Sequence, residues 1–151
     1  FKQLSSEKSF VFNSLNFFNS TFIYPPMKLT ITPHTLHFKQ PAGTSRGVYT
    51  TRRLWLVTAT SDDKPGIKGI GECAPLPDLS CDATPDYETV LRRVCDKAEA
   101  INAIPYDDLL PYPSMLFGIE TAVMSLENGS STLFDTPFAR GELSIPINGL
   151  V

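Results

Sequence analysis

The chain is poor in the side chains that do most proton and metal chemistry. Among its 151 residues it has 2 histidines, His34 and His37. Both sit in an alternating, strand-like stretch with no cysteine or carboxylate at ligand spacing. They read as strand-surface residues, neither metal ligands nor bases. Cysteine is equally sparse: Cys73, Cys81 and Cys95 make an odd set with no CxxC spacing. That excludes a zinc knuckle and a disulfide framework and points to a reducing, cytoplasmic setting. Basic charge is lacking too, with 13 Lys and Arg against 16 Asp and Glu and a net charge of −3. A chain of this balance offers no footprint for nucleic acid or an anionic membrane. No apolar run approaches the ~20 residues of a membrane span. Neither nucleic acid nor a membrane is an expected partner.

Proline is what the chain has in quantity, 13 in all. Its length suits about one domain with a real core. Residues 1–26 differ from the rest, being rich in Phe, Asn and Ser, with polar residues breaking every apolar run. They do not form a signal peptide, which needs an unbroken apolar region. We read residues 1–26 as a non-native or mis-assigned leader, with an extra strand packed on the domain as the alternative. Met27 then opens the domain proper.

From Met27 to Lys39 apolar and polar residues alternate, the period of a half-buried strand. Pro33 lacks a backbone donor, so this strand is expected at a sheet edge or to carry a bulge. Gln40 to Thr50 reads as a long flexible loop, of the size that often forms lids. Thr51 to Thr60 is apolar on both faces near Leu54-Trp55-Leu56 and is expected in the centre of the sheet. Ser61 to Gly66 is a turn, and Lys68 to Ala74 a third strand. Hairpin-type links predict an antiparallel meander.

Helices follow. Thr84 is a candidate N-cap and Pro85 a first helical residue. Tyr87, Val90, Leu91, Val94, Ala98 and Ile101 recur at helical spacing, with charged residues on the opposite face. Pro105 to Pro113 reads as a connector. Ser114 is expected to cap a second helix over Met115–Leu126. That helix is apolar on nearly every side, so it should be buried. Gly118 weakens it unless close packing offsets the cost. Leu143 to Val151 reads as a strand that stops in mid-pattern.

The most distinctive stretch is Gly69-Ile70-Gly71-Glu72-Cys73-Ala74-Pro75-Leu76-Pro77-Asp78-Leu79-Ser80. The glycines allow close backbone approach. The prolines fix φ and hold Leu76 and Leu79 out on a stiff loop. Taken alone it is a strand running into a proline turn. Arg46, in the loop before the second strand, is either a solvated arginine or a partner for a substrate carboxylate.

Three pieces in order resemble one family: the Gly-Arg loop, the Gly-x-Gly-Glu-x-Ala-Pro-Leu-Pro stretch, and Phe117-Gly118-Ile119-Glu120-Thr121-Ala122 ahead of Pro146-Ile147-Asn148-Gly149. Together they resemble the N-terminal capping domain of the enolase superfamily, muconate-lactonizing branch, and within it the o-succinylbenzoate synthases. The proline loop is similar to that family's Gly-Glu-x-x-Pro-Leu-Pro-Gly-Phe-Ser and departs at Asp78, where glycine is expected. The resemblance implies an α+β fold: a three-stranded antiparallel meander followed by helices over residues 27–143. Residues 144–151 would then be the first strand of a (β/α) barrel whose remaining ~200 residues are not in this chain.

By the same resemblance the parent is a lyase of menaquinone biosynthesis. It dehydrates a small-molecule carboxylate by α-proton abstraction and enediolate stabilisation, with Mg²⁺ bound by the absent barrel domain. A dipeptide epimerase or N-acylamino acid racemase of the same superfamily is the alternative, and a non-catalytic α+β module the third. No residue here is expected to be catalytic or to bind metal, so the chain alone is expected to be inactive. What it would supply is specificity. Gly43 to Tyr49, with Thr44, Ser45, Arg46 and Gly47, would be a lid. Pro75, Leu76, Pro77 and Leu79 would be an apolar wall, and Asn148 would lie near the strand end facing the substrate. Arg46 would meet the substrate's side-chain carboxylate.

Overall fold

A computed structural model describes residues 23–45 and 47–146. The strands are β1 (Lys28–Thr44), β2 (Gly47–Thr60) and β3 (Gly69–Cys73), forming one antiparallel sheet in the order β1-β2-β3. The helices are α1 (Tyr87–Ile101), the single turn α2 (Tyr106–Leu109) and α3 (Pro113–Asn128). The fold is α+β, a three-stranded meander followed by helices, as the sequence predicts.

Strand alternation builds the core-facing side of the sheet. Leu29 pairs with Ala59 and Ala59 with Gly69, while Ile31 pairs with Val57 and Val57 with Gly71. Trp55 follows, opposite Pro33 and Cys73. Leu29, Trp55, Val57, Ala59 and Cys73 are all buried there. The residues between them, such as Ile70, point away and are exposed. β2 is the central strand, and Leu54 and Trp55 are buried on opposite faces of it. Pro33 lies in β1 at the sheet edge, where its missing donor costs no ladder bond.

Against this face, α1 lays Tyr87, Val90, Leu91, Val94, Cys95 and Ala98, and α3 lays Met115, Ile119, Ala122, Val123 and Leu126. α3 lies directly on β3 because three glycines remove the side chains between them. A Cβ on Gly71 would stand 1.8 Å from the Gly118 carbonyl oxygen, and one on Gly69 1.9 Å from that of Ala122. Tyr87 stacks on Trp55 with ring centroids 4.6 Å apart. Glu88 accepts hydrogen bonds from the Trp55 indole at 3.0 Å, from Arg92 at 2.7 Å and from Arg53 at 2.9 Å. The indole bond first, then Arg92, holds its carboxyl below the usual glutamate value.

Several expectations shift. α1 begins at Tyr87 after Asp86, not after Thr84, because Pro85 sits in a preceding turn in which the Tyr87 amide donates to the Thr84 carbonyl at 3.1 Å. Ile101, on the last turn, is 45% exposed and outside the core. Asn102 ends the helix in the left-handed conformation at φ 50°, which asparagine tolerates. The connector carries the short α2. Ser114 does not cap α3, which begins at Pro113. Instead Asp82, 1% exposed, accepts from the Ser114 amide at 2.8 Å and its hydroxyl at 2.5 Å. A loop carboxylate thus closes the positive end of α3.

Tyr24 packs against the core, and its amide donates to the Asn102 carbonyl at 2.7 Å. The rest of the leader, residues 1–22, lies outside the described residues. At the other end, Ser144 to Pro146 pair with no strand, and 147–151 lie outside the described residues.

All three cysteines are free, Cys73 and Cys95 buried and Cys81 exposed. Burial pushes the Cys73 and Cys95 thiols up to about 12. We expect a thiol reagent at pH 8 to label Cys81 rapidly and the other two only on unfolding. Rapid labelling of more than one cysteine in the folded chain would contradict the core packing.

Candidate functional site

The site forms where the far end of the β1–β2 hairpin meets the proline loop after β3. The stretch read as a loop, Gln40 to Thr50, is largely paired strand. Ala42, Gly43 and Thr44 pair with Tyr49, Val48 and Gly47. Tyr49, Thr50 and Thr51 extend the β-branched pattern of β2 back to the tip, so pairing wins over loop composition. The irregularity is confined to Phe38–Pro41, which face Thr50 between the His37–Thr51 and Ala42–Tyr49 pairs. Such a bulge bends a strand. The stretch expected as a lid forms a hairpin tip, in which the Thr44 hydroxyl donates to the Gly47 carbonyl at 3.1 Å.

The proline loop is braced by its own groups. The Leu76 amide donates to Ser80 Oγ at 2.9 Å, and the Ser80 amide returns to the Leu76 carbonyl at 2.9 Å. Pro75 is buried at its root, and Leu76 and Leu79 are 39% and 60% exposed. Asp78 adopts φ 61°, the left-handed region. That explains the departure from the family pattern: the position needs positive φ, and aspartate is among the few residues besides glycine that tolerate it. The Tyr49 hydroxyl also donates to Asp78 Oδ2 at 3.4 Å, linking tip and loop.

Together the two elements enclose a cavity of about 380 Å³. From the hairpin come Phe38, Ala42, Thr44, Ser45 and Tyr49, and from the loop Leu76, Pro77 and Leu79. Thr51 and Arg52 close the remaining side. Of the residues expected at the site, the structure thus brings together Thr44, Ser45, Leu76, Pro77 and Leu79. Gly47 and Pro75 support the walls without lining the cavity. Arg46 and Asn148 lie outside the described residues.

Tyr49 belongs to the stretch expected as a lid, whereas Phe38, Ala42, Thr51 and Arg52 line the cavity without having been anticipated. For Arg52 the signal was available. Adjacent strand residues point to opposite faces. Arg53 goes to Glu88 and stacks 4.8 Å over Trp55. Arg52 turns the other way and donates from Nη2 to the Ala74 carbonyl at 2.9 Å, at the root of the proline loop.

Among the described residues no group of three His, Cys, Asp or Glu converges as a metal site. A second cleft, of about 430 Å³, lies at the opposite end of the sheet between Pro26–Lys28 and the turn around Lys64, and it holds none of the predicted residues.

An enolase family member from Agrobacterium tumefaciens with homology to dipeptide epimerases, solved with sodium and L-Ala-L-Glu, superposes with a TM-score of 0.53 at 20% identity. It covers 69% of this chain and 31% of its own. A mandelate racemase/muconate lactonizing protein from Herpetosiphon aurantiacus gives 0.52 at 15% identity, over 72% of this chain and 31% of its own. The chain shares the fold of about a third of each of these two proteins. In sequence, the chain is similar to o-succinylbenzoate synthase of Desulfotalea psychrophila, 29% identical over 157 aligned positions. The match takes in 83% of this chain and 42% of that relative, so the chain spans less than half the relative's length. No family model matches the chain. Among the described residues, no helix is long and apolar enough to cross a membrane.

Proposed function

We propose that this chain is the substrate-specificity lobe of an o-succinylbenzoate synthase-type lyase, residues 27–143 forming the cap and 144–151 leading into a barrel. The cavity between hairpin tip and proline loop carries this reading. It is a largely apolar pocket on the cap, flanked by the stretch that resembles the family. The relative from Desulfotalea psychrophila supports the choice of reaction. The chemistry would be loss of water from a cyclohexadiene carboxylate after abstraction of its α-proton, in a cytoplasmic enzyme of menaquinone biosynthesis. We assign the base and the Mg²⁺ to a barrel domain, as the family resemblance implies. The cap's own part is to exclude water and to shape the pocket around the substrate's side chain.

The test is turnover by the full-length protein. We expect dehydration of the succinyl-bearing cyclohexadiene carboxylate, and none from the 151-residue chain alone. Leu79→Ala in the full-length protein should lower kcat/KM about tenfold, the worth of part of a buried leucine. Unchanged kinetics would remove the loop from substrate contact. Epimerisation of dipeptides without dehydration would transfer the protein to that activity.

A further inference from the structure

We propose that Arg52 is the anion-recognising residue of the cavity, and that the ligand it takes has an apolar body ending in one carboxylate. The inference deepens the reading above and rests on the cavity facing that ligand. Three observations carry it. First, Arg52 is half-buried, and its Nε is shielded from solvent with no hydrogen-bond partner. Among the described residues, the Nη2 bond to the Ala74 carbonyl is one of the five that a guanidinium can donate. Second, Arg52 forms no ion pair among the described residues. Arg53 and Arg92 both pair with Glu88, and Arg140 pairs with Asp135 and Glu142. Drawing an unpaired cation from water is costly, and an anion brought by a ligand offsets that cost.

Third, the surroundings select the anion. Phe38, Leu76, Pro77 and Leu79 line the same cavity as Arg52 with apolar side chains, and no other Lys or Arg of the described residues lines it. One cation among the described lining residues suits a monovalent carboxylate better than a phosphate dianion, and the planar fork of arginine matches a carboxylate's two oxygens. The wall suits an aliphatic or aromatic body. The Ala74 tether aims Arg52 at the root of the loop that carries Leu76 and Leu79, so one loop serves both ends of the ligand.

The test is binding without turnover. 4-Phenylbutyrate is titrated into the isotope-labelled 151-residue chain and followed by NMR, with the neutral 4-phenylbutanamide as control. We expect saturable binding of the acid, shifts at Phe38, Tyr49 and Leu79, and affinity for the amide lower by about tenfold or more. Arg52→Met should weaken the acid to the level of the amide, with Arg52→Lys between. Equal affinity for acid and amide in the unaltered chain would overturn the proposal, whether or not a variant folds. So would absence of saturable binding, the outcome if an acidic side chain elsewhere in a longer protein fills this role. Neither outcome bears on dehydration by the full-length protein. Conversely, acid-selective binding stands even if that protein catalyses another reaction.

Discussion

Alanine at Gly71 is expected to leave this domain unfolded or close to it. The new Cβ would sit 1.8 Å from the Gly118 carbonyl oxygen, 2.7 Å from the Gly118 carbonyl carbon and 2.8 Å from the Ala122 amide nitrogen. All three are helix backbone, so no side chain can swing aside. Relief requires α3 to lift away from β3. That loosens Ile119, Ala122, Val123 and Leu126, which are buried on this contact. Ordinary overpacking costs ~1–3 kcal/mol, and moving a whole helix should exceed that. A cost of ~4 kcal/mol or more is a large share of the ~5–15 kcal/mol that holds a domain together. Urea denaturation is the measurement, and a midpoint within ~0.3 M of the parent would refute the packing described. Gly118→Ala offers an internal control. Its Cβ would lie 2.3 Å from Cys73 Sγ and 3.0 Å from Cys73 backbone nitrogen. Trimming Cys73 to alanine should therefore recover part of the loss at Gly118 and none at Gly71.

Removing the carboxylate of Asp82 is the second large effect. Asp82→Ala should destabilise by ~2–4 kcal/mol, lowering Tm by ~5–15 °C in a chain of this size. Two charge-assisted bonds are lost, to the Ser114 amide and hydroxyl. Ser114 Oγ also lies 2.6 Å from the Tyr87 hydroxyl, and Tyr87 stacks on Trp55. The change therefore reaches the sheet through one chain of contacts. A buried aspartate is tolerable here because it faces the first turn of α3, where free amides concentrate positive charge. Asp82→Asn keeps one acceptor and should lose less. Its amide nitrogen would take the place of Oδ1, which has no hydrogen-bond partner among the described residues. Ser114→Ala should cost ~1 kcal/mol, because Asp82 still meets the helix amide. Equal melting of Asp82→Ala and the parent would mean that the cap contributes nothing.

Much of this molecule could be read before its structure. Alternation placed the three strands, and the doubly apolar middle of β2 placed it in the centre. Pro33 marked the edge. Helical spacing picked out the buried face of α1 apart from Ile101, and the demand for close packing at Gly118 is met on β3. Local signals failed where distant residues decide. Ser114 carries a good capping side chain, yet the cap comes from Asp82, far away in sequence. Gln40 to Thr50 has loop composition at one end, yet cross-strand pairing orders most of it.

The candidate site divides the same way. Its walls were identifiable because stiffness and apolarity are local properties: Pro75 and Pro77 hold Leu76 and Leu79 out whatever surrounds them. That the hairpin tip reaches those leucines was a matter of register and of the bulge at Phe38–Pro41, which no single stretch contains. The same geometry sends Arg52 to the Ala74 carbonyl while Arg53, its neighbour, goes to Glu88. Composition and periodicity by themselves determined the class of fold and the residue types available. Tertiary structure alone decided which backbone needs glycine, which aspartate closes a helix and which arginine forms no ion pair among the described residues. Those outcomes depend on distances between segments remote in sequence, and local pattern carries no record of them.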